Sequence, residues 1–425
     1  GDVNGNGFLD PQDLIAIFQN GIDEDGNGFV DDICGWDFLW DDNDADDDIG
    51  NGGQGYSHGN QEVRDVAAEA NNGFGSPGVC PGCMVLPIRG GDSFVTSGLN
   101  QGLAILYASS RGAKVLSVAQ IALTNPPELQ AAVDVAYKRG ALLVASSADE
   151  TSMHQMFPGN LEHTLLVNAL IYDGSDWNDP NNTSFLNFNN CTNYGQKLML
   201  SAPGTGCSSE ATGVTSGHAG MIYSAALSAN GGKGLAPPLS AEEVRGILIQ
   251  SSDDIDVPES ATDTTKFPSG PGWDLHFGYG RKNVGNSVEM VLAGAIPPEA
   301  DILLPSWFEP IEVSRTPKVK VTGRIGTRTD GLPARYASYD WKLESAKGID
   351  PKSGWSEFAK GTTAGIDGEI AEWDAAKAAA AIDFAVPLVD HDQYSFTLNL
   401  TVTAKTADGK QVQSEFRKSV GLYKD

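Results

Sequence analysis

Between residues 60 and 295, short apolar segments recur between segments of helical spacing, and this rhythm constrains the chain more than any other feature. It predicts helix at 63–70, strand at 85–89, helix at 98–111, strand at 114–121 and helix at 127–139. Strands at 141–146 and 164–171 follow, then helices at 218–229 and 241–250. Strands separated by helices pair in parallel by crossing over the sheet. The expected fold class is therefore α/β, a doubly wound and mostly parallel sheet covered on both faces.

Past Ile296-Pro297-Pro298 the texture changes to alternating apolar and polar residues, at 318–322, 339–343, 394–403 and 413–422. Turn residues at Thr329-Asp330-Gly331 and Ala407-Asp408-Gly409 space them, and 371–381 reads as a short Ala-rich helical insert. An all-β sandwich of roughly 110–120 residues is expected there. The chain thus divides into an acidic segment over 1–50 that merges into the α/β domain at 51–298, and a β domain at 299–425.

Fifty-six acidic residues against 28 basic ones give a formal net charge of -28. Phosphate recognition needs clustered Lys and Arg, so nucleic acid and anionic membrane are excluded as expected partners. No apolar run reaches the roughly 18–20 residues of a membrane helix. The opening Gly1-Asp2 has no basic and apolar leader before it, as expected of a processed mature form or of a trimmed one. The five cysteines are too few for a disulfide-dense scaffold, and the odd count leaves at least one without an intramolecular partner. Cys80-Pro81-Gly82-Cys83 reads as a small surface disulfide, with Cys191 and Cys207 as a second candidate pair. Both imply an oxidising, extracellular setting.

The acid is concentrated at the start, including the run from Asp41 to Asp48, which reads equally as a solvated loop or a cation-binding one. Asp2, Asn4, Asn6, Phe8, Asp10 and Asp13 occupy positions 1, 3, 5, 7, 9 and 12 of an EF-hand-type loop, with Gly7 at the sharp turn. Alternate oxygen-bearing residues converge on one hard cation, so calcium is the expected cofactor. Asp23, Asp25, Asn27, Phe29 and Asp31 repeat the pattern, but Cys34 stands at position 12. The first loop also resembles dockerin modules, although a dockerin carries two such loops.

Several stretches resemble the subtilase family (subtilisin-like serine proteases), in family order. Ile15 to Asp23 is similar to the strand that ends in the family's Asp-Thr-Gly, which puts Gln19 at the Asp position. Asp25-Gly26-Asn27-Gly28-Phe29-Val30-Asp31-Asp32 with Gly35-Trp36-Asp37-Phe38 resembles a common insertion. Ser57-His58-Gly59 resembles the start of the His helix, and Gly78-Val79-Cys80-Pro81 the turn after it. Asn193-Tyr194-Gly195, Ser201-Ala202-Pro203-Gly204, the segment from His218 to Ala229, and Gly278-Tyr279-Gly280-Arg281 match later signatures. The resemblance implies a subtilisin-like fold.

It also implies chemistry that the residues do not supply. Amide hydrolysis of this kind needs a Ser activated by a His that an Asp orients, and a donor for the oxyanion. The family positions hold Gln19, His58, Gly213 and Asp149, so only the His survives. Glycine carries no nucleophile, and a carboxylate repels a developing oxyanion. The substrate-pairing Ser-Leu-Gly has become Ala119-Gln120-Ile121. Ser216 or Thr215 could replace the nucleophile only if the loop before them were shortened. His154 and His218 read as surface or packing residues, and Asn181, Asn190 and Asn399 head Asn-x-Thr sequons. The terminal β domain resembles Ig- or fibronectin-like adhesion modules. The expectation is a secreted, calcium-stabilised pseudoprotease with no catalytic residues, partnered by a protein or by copies of itself. Two alternatives stand beside it: a decoy that holds a peptide in the old cleft, and a hydrolase rebuilt on His58, Asp149 and Ser216.

Overall fold

The computed structural model describes residues 1–425 apart from 6, 8, 47–56, 177, 178, 180, 258–266, 268 and 389–392. The N-terminal half runs α1 (Pro11–Phe18), β1 (Trp36–Asp37), α2 (His58–Ala67), β2 (Ile88–Arg89), β3 (Val95–Thr96), α3 (Gly98–Ser110), β4 (Val115–Val118) and β5 (Ile121–Ala122). It continues through α4 (Pro127–Lys138), β6 (Leu142–Ser146), β7 (Thr164–Ile171), β8 (Asn187–Phe188), β9 (Leu198–Pro203), α5 (Cys207–Gly232), α6 (Ala241–Gln250) and α7 (Val284–Leu292). The strands β4, β6, β7 and β9 pair in parallel, with β8 antiparallel to β7. Beside them β1 pairs with β2, and β3 with β5, each in parallel. Strand β6 is buried throughout and β7 and β9 nearly so, as a parallel sheet covered on both faces requires.

One expected strand is a helix. The stretch 15–23 carries the end of α1, because Asp10 and Asp13 form a reciprocal capping box and Pro11 opens the first turn. Gln19 is the helix C-cap and is exposed, and Gly21 at φ +79° turns the chain away. The expected helix 218–229 begins far earlier, at Cys207, and kinks only at Ala229, Asn230 and Gly231.

The C-terminal region forms β10 (Ala300–Leu304), β11 (Pro310–Glu312), β12 (Val319–Ile325), β13 (Tyr339–Lys347), β14 (Ser356–Thr363), β15 (Ile366–Trp373), α8 (Ala375–Ala378), β16 (Ser395–Lys405) and β17 (Gln411–Tyr423). A three-stranded sheet in the order β10-β12-β15 and a five-stranded sheet in the order β11-β17-β16-β13-β14 enclose a core built around Val321, Tyr339, Leu343, Trp373, Leu398 and Leu400. Residues 371–373, expected as helix, finish β15, and the helical insert shrinks to α8 and one further turn.

The two domains meet across buried charge. Glu243, which caps α6, receives Arg328 at 2.8 Å and Arg335 at 2.6 Å from the β domain. Asp301 of β10 holds Arg324 at 2.6 Å, and His163 lies between Asp134 at 2.9 Å and Asp301 at 3.2 Å. Lys418 of β17 reaches Glu162 at 2.8 Å.

Candidate functional site

Of the expected positions, His58, Asp149 and Gly213 converge where α2 and α5 pack together, beyond the C-terminal end of β6. His58 begins α2, and its ring stands edge-on to Phe94 at 4.6 Å. Its Nε2 lies 3.6 Å from Oε1 of Glu62, one turn along the helix. Burial pushes the His58 imidazole below its ordinary range. Burial, with the charges of Asp65, Glu210 and Asp149, pushes Glu62 up to about 8. Burial and Glu210 likewise raise Asp65 to about 6. At neutral pH the pair His58–Glu62 is therefore predominantly uncharged, and Glu62 lacks the carboxylate charge that would stabilise an imidazolium.

Gly213 lies in the interior of α5, flush against α2. A Cβ there would fall 2.9 Å from the Glu62 carbonyl oxygen, 2.9 Å from Glu62 Oε2 and 3.2 Å from Asp65 Cβ. The position is closed to any side chain unless α2 shifts. Gly217 repeats the contact one turn on, where a Cβ would meet Val79 at 2.8 Å and the Val66 carbonyl at 2.9 Å.

The residue at the oxyanion position has taken a helix-capping place. Asp149 Oδ1 accepts from the Ser208 amide at 3.0 Å and the Ser208 hydroxyl at 2.6 Å, within the first turn of α5. Glu210 adds a second carboxylate, accepting from the Thr205 hydroxyl at 3.0 Å and from the Gly206 amide. Anions at a helix N-terminus are stabilising, since that end has unpaired N–H groups and the positive pole of the dipole. This explains why α5 runs back to Cys207 and winds the expected nucleophile loop into helix.

Ser216 and Thr215 do not complete a catalytic set. Both are fully buried, and neither hydroxyl has a hydrogen-bond partner among the described residues. Asp149 is engaged at Ser208. His218 is buried with Nε2 at 2.6 Å from Ser287, a packing role as expected, and His154 is exposed. The segment at 119–121 does not present a free edge over its length. Ile121 accepts pairing from β3, donating its amide to Phe94, and the Ala122 amide donates to Phe157. Gln19 stands apart on α1. Sequence reading missed Glu62, Asp65, Glu210 and Ser208. Acids one and two turns after His58, and glycines at 213 and 217 facing them, were the available signal.

Both expected disulfides are present, Cys80–Cys83 and Cys191–Cys207, and Cys34 is free. Cys80 is buried, so this bridge is not wholly a surface feature.

In the first acidic loop, Asp2 accepts from Gly5 at 2.7 Å and Gly7 at 2.9 Å, and Gly7 takes φ +92°. Asp13 accepts from Val3 at 2.5 Å and Asn4 at 3.1 Å, and Asn4 donates to Asp10 at 3.2 Å. Asn6 and Phe8 lie outside the described residues. Asp2, Asn4, Asp10 and Asp13 supply hard oxygen donors, and the N-terminal ammonium also acts on Asp13. In the second loop, Asp23 accepts from Gly26, Asn27 and Gly28, Asp31 from Asn20 and Gly21, and Asn27 from Phe29. Asp25 there pairs with the Arg111 guanidinium. Among the described residues no three His, Cys, Asp or Glu side chains are grouped so as to hold a metal ion.

Residues 14–280 match the model of the Subtilase family. The chain is 29% identical over 280 residues to the thermophilic serine proteinase of Bacillus sp. (strain AK1), covering 64% of this chain and 61% of that one. It is 27% identical over 303 residues to the cell wall-associated protease of Bacillus subtilis (strain 168), covering 65% and 30%. It is 30% identical over 196 residues to thermitase of Thermoactinomyces vulgaris, covering 45% and 62%. The chain thus spans less than two thirds of the length of each of these relatives.

Proposed function

The chain belongs to the subtilase family, and from that footing we propose that it is a catalytically inactive, extracellular member that serves as a structural or assembly subunit. The observation that carries this reading is Gly213, set inside α5 against Glu62 and Asp65 with no room for a side chain. A nucleophile needs both a reactive atom and space for an acyl group beside it. Neither exists there. The acid at Asp149 points the same way, since it caps α5 where the family chemistry needs a hydrogen-bond donor.

Extracellular placement is supported by two disulfides, which persist in oxidising compartments. A structural role is supported by the buried ion pairs that join the domains. The Ig-like reading of the β domain rests on its two facing sheets. We also assign calcium to the first acidic loop, on the EF-hand-type spacing of Asp2, Asn4, Asp10 and Asp13. A protein partner or a second copy of the chain is the expected binding partner. The peptide-decoy reading has less support, because Ile121 and Ala122 already pair within the chain.

The test is incubation of the purified protein with unfolded casein and a fluorophosphonate probe, with calcium and with EDTA. No cleavage and no label are expected. Calcium-dependent labelling that disappears in Ser216→Ala would overturn the reading in favour of a relocated nucleophile.

A further inference from the structure

The Cys80–Cys83 bridge does more than close a turn. Its turn is fastened to the end of α2, with the Val79 amide donating to Asp65, Cys80 to Val66 and Gly78 to Ala68. Its two sulfurs lie against α5 at Gly220, where a Cβ would meet Cys83 Sγ at 2.7 Å and Cys80 Sγ at 3.3 Å. Gly213, Gly217 and Gly220 therefore form one line along α5. The position of the lost nucleophile is at one end and the disulfide at the other, with α2 and its turn laid along it.

We propose that Cys80–Cys83 is a thiol–disulfide exchange site, opened by a dithiol reductant, whose opening loosens α2 from α5. Cys80 is buried, whereas Cys83 is partly accessible between the exposed Gly82 and a fully exposed Met84. The reductant's thiolate attacks Cys83 Sγ, the S–S bond breaks, and the Cys80 sulfur leaves and takes a proton. The reductant's second thiol then attacks the mixed disulfide, releasing Cys83 as a thiol and the reductant as its own disulfide. Bonded sulfurs sit about 2 Å apart, and free thiols must part to van der Waals contact at roughly 3.5–4 Å. The Gly220 side is filled, so the separation is taken up by the turn, whose amides are bonded to the end of α2.

The second bridge is a built-in control. Cys207 opens α5 between two carboxylates, Glu210 on the Gly206 amide and Asp149 on the Ser208 amide. An attacking thiolate is repelled there.

The experiment equilibrates the intact protein with graded ratios of reduced to oxidised dithiothreitol, followed by differential alkylation read by mass spectrometry. Amide exchange is measured on the same samples. Cys80 and Cys83 should become alkylated at a ratio roughly tenfold or more below that for Cys191 and Cys207. Amides over residues 58–67 should lose protection at the same ratio. Opening of both bridges together, or of Cys191–Cys207 first, would overturn the assignment of the exchange site. Opening of Cys80–Cys83 with unchanged exchange in α2 would overturn the coupling. A Cys80→Ser, Cys83→Ser double variant should reproduce the exchange pattern of the half-reduced protein without reductant. Wild-type protection of α2 in that variant also counts against the coupling.

Discussion

Two buried faces of this molecule handle charge in opposite ways. Where the domains meet, Glu243 pairs with Arg328 and Arg335, Asp301 with Arg324 and Glu162 with Lys418, while Glu299 is pushed up to about 8 by its burial. Where α2 meets α5, Glu62, Asp65, Glu210 and Asp149 crowd together, Arg64 offsets Asp65 only in part, and His58 is held toward its neutral form by burial. A buried pair resists separation because removing one partner strands the other. A buried cluster of like charge lowers its own cost by taking up protons. The junction is built to hold, whereas the face between α2 and α5 tolerates its charges only in part.

The strongest way to break that contrast is at the junction. Glu243→Gln removes the buried carboxylate that Arg328 and Arg335 share, leaving Arg328 with Asp330 alone and Arg335 without that partner. A loss of roughly 3–5 kcal/mol is expected, read as a lowered urea midpoint. A change within 1 kcal/mol would mean that the pairs are ornamental and the contrast false.

On the other face, Gly213→Ser restores a hydroxyl without restoring room for it. Overpacking against Glu62 and Asp65 should cost roughly 1–3 kcal/mol, and the variant should stay unlabelled by a fluorophosphonate. A labelled or undiminished variant would show that α2 yields easily and that the face is a cleft after all.

A pH series separates the two faces more finely. Glu62 is raised above its unfolded value of 4.5, to about 8. Its contribution is therefore fully present below pH 4.5 and lost as pH rises through about 8. Glu62→Gln should remove that loss: little change at pH 5, and a melting temperature roughly 2–4 °C above wild type at pH 9. Asp301 at the junction, held low against its burial by His163 and Arg324, predicts no such gain, whereas Glu299, also raised to about 8 by burial, predicts one of the same sign. Equal shifts at both pH values would mean that Glu62 is ionised throughout.

Much of this was legible in the sequence because it rests on local signals. The alternation that gives β4, β6 and β7, and the sandwich strands expected at 318–322 and 394–403 and found at 319–325 and 395–405, needed only periodicity, whereas β9 had no strand predicted for it. The misreadings came from competition between local and distant terms. The stretch 15–23 looked like a strand by family order, but the capping box of Asp10 and Asp13 and Pro11 at the first turn set it as helix. The helix α5 was read from residue 218 because the glycines and serines before it suggest a loop. What winds them is a pair of caps, one from Glu210 nearby and one from Asp149, 59 residues away in sequence. No window of sequence reports a cap delivered from another strand. The acid cluster was invisible for the same reason, since Glu62 and Glu210 become neighbours only when α2 packs on α5.

The smallest expected effect repeats the contrast within the acidic N-terminus. Asp25 of the second loop already holds Arg111, whereas Asp2 and Asp13 of the first loop accept from backbone N–H groups. A divalent cation should therefore act on the first loop alone. If the site has the affinity of extracellular calcium modules, about 5 mM calcium should stabilise the protein by about 1 kcal/mol. The gain should vanish in Asp2→Asn, which loses a carboxylate oxygen, and survive in Asp25→Asn. The reverse pattern would place the cation in the second loop and show that Arg111 gives way to it. A gain that survives both substitutions would move the site out of the two loops altogether. The comparison depends on a difference between two variants, so it can be read even when each shift in melting temperature is only a degree or two.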